Sequence, residues 1–102
     1  KKLQNATPQN LSQYNPLCTT NSGSTINIGT KIGKHCILNT SSSIDHDNRF
    51  NDFSGTGPGV VTGGNVVVGE KSYIGMGSII KNNINISNDT YLVQHQRTCN
   101  IN

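Results

Sequence analysis

Residues 31–50 read KIGKHCILNTSSSIDHDNRF, and within this stretch an apolar side chain stands at every sixth position. The same spacing continues on both sides, whereas an amphipathic helix would repeat its apolar residues every three or four positions. Ten of the twelve positions in this register are apolar and two are threonines: Ile26, Ile32, Leu38, Ile44, Phe50, Thr56, Thr62, Val68, Ile74, Ile80, Ile86 and Leu92. The spacing predicts a parallel β-solenoid built from six-residue units.

Each six-residue unit has two positions that face the core. The second core-facing position lies two places before each register position, because residues i and i−2 of a strand face the same side. We group the side chains there, Asn48 among them, as small or β-branched. The residue directly after the register position is Asn, Gly or Asp nine times in succession, from Asn27 to Gly75, which predicts left-handed turn residues there. Three units then close one triangular coil, and successive coils stack.

The register also predicts how the chain is divided. Residues 26–92 form an all-β solenoid of about four coils, at roughly 18 residues per coil. Residues 1–25 keep the register poorly, with Pro8 and Pro16 among them, so we expect an irregular lead or capping coil. Residues 93–102 lose the pattern and are predicted to form an irregular tail.

Composition excludes several classes of function. The net charge of +3 comes with no run of Lys or Arg after Lys1 and Lys2, which argues against nucleic-acid binding. No apolar stretch reaches membrane-spanning length and no signal peptide is apparent, so we expect no membrane segment and a cytoplasmic location. Three cysteines, Cys18, Cys36 and Cys99, lack CxxC spacing, so free thiols are expected rather than a disulfide framework or a zinc site.

His46 is the candidate for chemistry, because it stands between Asp45 and Asp47. A neighbouring carboxylate stabilises the charged imidazole and can orient the ring, which suits a general base that removes a proton from a hydroxyl or an amine. The alternative reading is a solvated surface histidine. The outward position of His35 argues against a metal triad with His46 and His95, and His95 falls in the irregular tail. No metal is predicted.

The glycine-rich segment GTGPGVVTGG, residues 55–64, does not have the features of a phosphate-binding loop. It lacks the lysine of the GxxxxGK[ST] pattern and a following helix signal. Its glycines are therefore interpreted as turns of the solenoid.

Two stretches carry a resemblance to a known family. KIGKHCILNTSSSIDHD at residues 31–47 and NDFSGTGPGVVTGGNVVVGEKSYIGMGSII at residues 51–80 resemble the left-handed β-helix acyltransferases that acetylate sialic acids and bacterial amino sugars. The order of IDHD, DFSGTGPG and GGNVVVGE is similar to the branch of sialic acid O-acetyltransferases and bacterial sugar N-acetyltransferases. The resemblance covers about residues 24–87 and implies a left-handed solenoid of hexapeptide repeats.

The resemblance also implies a function and a site. It implies a homotrimer with active sites between neighbouring subunits, acetyl-CoA as the donor, and a sugar or nucleotide-sugar acceptor. The catalytic histidine of the family falls on His46 and its acidic neighbour on Asp47. The backbone N–H that meets the acetyl thioester falls near Gly64, Met76 corresponds to a position lining the coenzyme arm, and Gly55 stands where the family has a second histidine that contacts acetyl-CoA.

Three departures from the family support a second hypothesis. Gly55 offers no side chain, the family's N-terminal α/β domain has no counterpart in the 25-residue lead, and NDTYLVQHQRTCNIN at residues 88–102 does not follow the family's usual end. The leading hypothesis is an acetyl-CoA-dependent acetyltransferase acting on a sugar hydroxyl or amine. The alternative is a noncatalytic or truncated solenoid scaffold that has lost donor binding.

Overall fold

Short strands separated by tight turns make up the whole of residues 13–93, which are the residues described by the computed structural model. This part of the chain contains fourteen two-residue strands and no helix. The strands are β1 Gln13–Tyr14, β2 Thr19–Thr20, β3 Thr25–Ile26, β4 Lys31–Ile32, β5 Ile37–Leu38, β6 Ser43–Ile44, β7 Arg49–Phe50, β8 Gly55–Thr56, β9 Val61–Thr62, β10 Val67–Val68, β11 Tyr73–Ile74, β12 Ile79–Ile80, β13 Asn85–Ile86 and β14 Tyr91–Leu92.

Every strand pairs in parallel with the strand three places later, so three sheets run along the molecule. Sheet A has the order β1-β4-β7-β10-β13, sheet B the order β2-β5-β8-β11-β14, and sheet C the order β3-β6-β9-β12. Paired residues are one coil apart, as with Lys31 and Arg49. The predicted all-β solenoid of about four coils is confirmed, and the implied left-handed sense is consistent with this architecture.

Three rows of turns join the sheets, and we name each row by one residue. The His46 corner leads from sheet C to sheet A and contains residues 28–29, 46–47, 64–65 and 82–83. The Phe53 corner leads from sheet A to sheet B and contains residues 16–17, 34–35, 52–53, 70–71 and 88–89. The Met76 corner leads from sheet B to sheet C and contains residues 22–23, 40–41, 58–59 and 76–77.

The core is the column of residues that the six-residue register selected. From Ile26 to Ile86 every register position is buried, and Leu92 packs against the column from its end. The two threonines of the register are buried too, and their hydroxyls are satisfied by the preceding coil. Thr56 Oγ1 lies 2.8 Å from Ser42 Oγ, and Thr62 Oγ1 donates to Asn48 Oδ1 at 2.6 Å. A narrow core therefore tolerates these polar groups, because each has a partner within it.

The left-handed turn residues do not lie where the sequence predicted them. Positive φ occurs at the third residue after each register position, as at Asp47 and Asn65, and not at the first. The glycines at the predicted place serve close packing instead: a Cβ on Gly57 would lie 2.7 Å from the amide nitrogen of Met76. The prediction was wrong because glycine serves two needs, positive φ and close approach of backbone, and periodicity does not separate them.

Regular pairing extends into residues 13–25, which precede Ile26. Strand β1 pairs with β4, and β2 pairs with β5. Residues 1–12 and 94–102, most of the predicted irregular tail and Cys99 among them, lie outside the described residues. Cys18 and Cys36 are free thiols, as expected.

Candidate active site

His46 and Asp47 form the turn between β6 and β7, at the His46 corner. Asp47 has a φ of 54°, and in this left-handed conformation its carboxylate lies beside the preceding imidazole. His46 Nδ1 and Asp47 Oδ2 are 2.9 Å apart, with side chains 56% and 63% exposed. Because an ionised carboxylate can only accept, Nδ1 must carry the proton, and the neutral ring keeps its lone pair on Nε2. Nε2 is thus the atom available to act as a base.

The carboxylate pair around His46 changes its acidity. The pKa of His46 is raised above its ordinary value, chiefly by the hydrogen bond to Asp47. Desolvation opposes the rise, and the negative charges of Asp45 and Asp47 add smaller upward contributions to the pKa. The imidazolium form therefore persists to higher pH than in a free histidine. A base with a raised pKa also holds a transferred proton more strongly.

The backbone of His46 is fixed from three directions. Its N–H donates to Asp45 Oδ1 at 2.8 Å, and its carbonyl accepts the N–H of Asn65 from the next coil at 2.9 Å. The same carbonyl accepts a hydrogen bond from Asn48 Nδ2 at 3.1 Å. Asp45 is itself held by Asn27 Nδ2 at 3.3 Å. The imidazole therefore projects from a backbone that has little freedom to move.

Asn48 is a site residue that the sequence analysis missed, because it was grouped with small core residues. Its side chain is buried, and besides the His46 carbonyl its Nδ2 reaches the carbonyl of Gly63 at 2.9 Å. Its Oδ1 accepts the Thr62 hydroxyl. One amide thus ties the turn of His46 to the residue that precedes Gly64. The signal available in the sequence was a long polar side chain at a position otherwise occupied by Ser, Thr, Cys, Val or Ile.

Gly64 lies directly against the imidazole, one coil after His46. A Cβ at this glycine would collide with His46 Nε2 and would lie 2.6 Å from Cε1, and Gly64 has no positive φ. The glycine is therefore required by the approach of the ring and not by its own backbone angles. No acceptor among the described residues takes a hydrogen bond from the Gly64 N–H. Nε2 therefore lies next to a buried glycine whose N–H has no partner among the described residues.

An open groove of about 490 Å³ surrounds this pair. Its lining is polar and comes from three successive turns of the His46 corner: Asp45, His46, Gly63, Gly64, Asn65, Asn82 and Asn83. A groove of this kind suits a small polar acceptor or a thioester carbonyl at its centre.

The other two predicted site residues lie elsewhere in the same chain. Gly55 belongs to strand β8 of sheet B, where a Cβ would lie 2.5 Å from the carbonyl oxygen of Ile37. Met76 is 69% exposed on the Met76 corner. One chain therefore brings together His46, Asp47 and Gly64, and it keeps Gly55 and Met76 away from them.

Metal and membrane features were searched over residues 13–93. That range holds no group of three His, Cys, Asp or Glu side chains able to bind a metal ion. It also holds no helix long and apolar enough to cross a membrane. His35 stacks on Phe53, with ring centroids 5.2 Å apart, and His95 lies outside the described residues.

Several solved structures share this fold, although no protein-family model matches the chain. Perosamine N-acetyltransferase from Caulobacter crescentus, solved as two histidine mutants with CoA and GDP-perosamine, is 28% identical over 78% of the chain, with a TM-score of 0.68. A serine acetyltransferase from Entamoeba histolytica, solved with cysteine, matches 87% of the chain at 22% identity and a TM-score of 0.68.

These matches involve only part of the solved proteins. The chain spans 41% of the length of the perosamine enzyme and 37% of the serine enzyme. The second likeness shows the fold alone. The perosamine enzyme shares the fold and is also more similar to the chain in sequence. Both neighbours are acetyltransferases. The chain is thus similar, in fold and in part of its sequence, to the solenoid region of acetyltransferases of which one binds CoA and an amino-sugar nucleotide.

Proposed function

We propose that this chain is the solenoid of an acetyltransferase that moves an acetyl group from acetyl-CoA to a hydroxyl or an amine of a sugar. The observation that carries the proposal is the close approach of His46 Nε2 to Gly64, whose N–H has no partner among the described residues, with Nδ1 anchored by Asp47. A base and a backbone donor at one point are the two groups that direct acyl transfer needs.

The residues divide the reaction between them. His46 Nε2 accepts the proton of the acceptor hydroxyl or amine as that atom bonds to the thioester carbonyl carbon. The Gly64 N–H, which has no partner among the described residues, donates to the developing oxyanion. The carbon–sulfur bond then breaks, and His46 returns its proton to the departing thiolate. Asp47 keeps Nδ1 protonated throughout and stabilises the imidazolium between the two transfers.

The choice of donor and acceptor rests on the chemistry of the site and on the similarity to the perosamine enzyme. The unpartnered donor at Gly64 fits a thioester carbonyl, and the perosamine enzyme was solved with CoA and a sugar nucleotide. A sugar acceptor of the amino sugar or sialic acid type is therefore the class to test first. Because the perosamine enzyme, 28% identical to the chain, is an N-acetyltransferase, amines are tested before hydroxyls.

A homotrimer would complete the site. Gly55 and Met76 lie on sheet B and at the Met76 corner, so a second copy is needed to bring such residues to His46. Sheet C, beside the His46 corner, carries the exposed apolar side chains Val61 and Ile79, the latter 77% exposed. Covering that column against another copy would remove apolar surface from water.

One observation favours the alternative of a noncatalytic scaffold. Position 55 lacks the histidine of the resembling family, and the carbonyl of Ile37 blocks the space that a side chain there would need. Restoring His at this position would therefore strain strand β8, so the scaffold hypothesis has to be tested through donor binding instead.

The deciding experiment measures acetyl-CoA binding by calorimetry and transfer by release of free CoA thiol, with a panel of amino sugars and sialic acids. Light scattering on the same preparation gives the oligomeric state. We expect a trimer that binds acetyl-CoA and releases CoA only with an acceptor, and His46→Ala should keep binding and lose release. Ser22→Ala, at the same turn position of the Met76 corner, is the control. A trimer that does not bind acetyl-CoA would establish the scaffold.

A further inference from the structure

Two cations stand side by side on sheet A, and neither makes an ion pair within the described residues. Lys31 and Arg49 are register partners on the adjacent strands β4 and β7, and both are exposed. The ion pair within residues 13–93 is His46–Asp47, and neither cation takes part in it. Like charges directly opposite each other destabilise a sheet, so folding gives no reason for this pair. An anion bound between them would remove the repulsion.

A groove of about 460 Å³ adjoins the two cations. Both line it together with Tyr14, Pro16, Asn51 and Asp52 on the side of the Phe53 corner. One carboxylate oxygen of Asp52 accepts the Lys34 N–H at 3.0 Å, and the other has no partner among the described residues. A carboxylate beside two cations fits a ligand that has hydroxyl groups next to its negative charge.

Phe53, the residue after Asp52, is an unusual choice for its position. It has a φ of 65°, whereas most of the equivalent turn positions are occupied by Gly, Asn, Asp or Ser. Its side chain is 50% exposed. A bulky residue in the left-handed region is strained, and strain of this kind concentrates at functional sites. Its ring stacks on that of His35 with an interplanar angle of 15°. The corner thus presents an exposed pair of flat rings.

We propose that sheet A binds a nucleoside diphosphate, with the base stacked on the Phe53–His35 pair, the ribose hydroxyls at Asp52, and the diphosphate on Lys31 and Arg49. Aromatic rings stack on any base, and Lys and Arg are the usual partners of phosphate.

The strands of sheet A run from the His46 corner to the Phe53 corner, so this site lies along the chain from His46. Arg49 follows His46 by three residues, and the seven residue steps from His46 to Phe53 span at most about 23 Å. A nucleotide sugar in extended form has a comparable length. A sugar attached to the bound diphosphate would therefore reach the His46 corner. Its role as the acceptor rests on the proposed function, whereas the nucleotide site itself does not.

The test titrates the chain with UDP and GDP, and in separate arms with ADP, with adenosine 3′,5′-bisphosphate and with inorganic pyrophosphate. Calorimetry measures affinity, and amide shifts in nitrogen-15 spectra locate the ligand. We expect shifts at Lys31, His35, Arg49 and Phe53. Phe53→Asn relieves the backbone strain and should weaken nucleotide binding by at least about tenfold without changing pyrophosphate binding. Lys31→Gln with Arg49→Gln should weaken both, and Lys81→Gln, an exposed cation outside the groove, should weaken neither.

The outcomes separate the possibilities. Equal affinity of the wild type and Phe53→Asn for UDP and GDP would overturn the stacking site. A clear preference for the adenine ligands would assign the site to the coenzyme and overturn its role as the acceptor handle. Binding that persists in His46→Ala, with or without transfer activity in the wild type, supports the nucleotide site independently of the proposed reaction.

Discussion

The His46 corner and the Met76 corner have the same backbone but different side-chain networks. In both, the second turn residue donates its N–H to the carbonyl one coil earlier, as Asp47 does to Ile28 and Gly77 to Pro58. At the Met76 corner no side chain of these turn residues makes a hydrogen bond within the described part of the chain. The His46 corner adds a carboxylate on an imidazole and a buried amide. Since the fold forms at the Met76 corner without an imidazole–carboxylate pair, that pair serves something other than folding at the His46 corner.

The largest effect is expected when the base is removed. His46→Gln keeps a polar side chain at the same turn, and we expect the transfer rate to fall by about 100- to 10,000-fold, the usual contribution of a general base. The circular dichroism spectrum should not change. Steady-state thiol release measures the effect, and unchanged turnover would show that His46 is a surface histidine.

The next largest effect is expected from Gly64→Ala. The added methyl group occupies the place of His46 Nε2, so the ring must rotate away from its position. A displacement of about 1 Å is enough to lower the transfer rate by roughly 100-fold. The collision should also lower the unfolding free energy of Gly64→Ala, and the same substitution in a His46→Ala background should not, which separates collision with the ring from other causes. Full activity of Gly64→Ala would mean that the contact has no catalytic importance.

A comparison of Asn48→Val with Ser42→Ala tests the buried amide, because the two residues hold equivalent places after the two corners. Valine leaves the carbonyl of Gly63 and the hydroxyl of Thr62 without their partner, so we expect a loss of roughly 2 to 4 kcal/mol of unfolding free energy. Ser42→Ala removes bonds to Thr56 and Gly57 and should cost about 1 kcal/mol. Urea unfolding measures both, and equal losses would remove the special role of Asn48.

The smallest effect is a shift in acidity. Asp47→Asn removes the main cause of the raised pKa of His46, so that pKa should fall. Because the base works in its neutral form, activity rises as pH increases through this pKa, and the acidic limb of the profile should move to lower pH in the variant. The proton resonances of the His46 ring report the titration directly. Asp89→Asn, at the same left-handed turn position of the Phe53 corner, should leave the pKa in place.

Sequence reasoning succeeded for the core, and it failed where two causes produce the same residue. The six-residue spacing identified the buried column from Ile26 to Ile86, because one residue per unit must face the axis. His46 and Asp47 were found together because they are adjacent in the chain. The left-handed positions were wrongly predicted, because glycine is also required where two backbone segments approach closely. Asn48 was missed, since its partners Thr62 and Gly63 lie one coil away.

The repeat alone determined that this chain is a parallel solenoid, because an 18-residue period imposes the same pairing on every coil whatever the exposed side chains are. It could not determine which outward residues meet, because that depends on stacking across coils. Only the tertiary structure placed Gly64 on the imidazole of His46 and Lys31 beside Arg49. Only it separated Gly55 and Met76 from His46, because residues close in a motif can fall on different faces of a triangular coil.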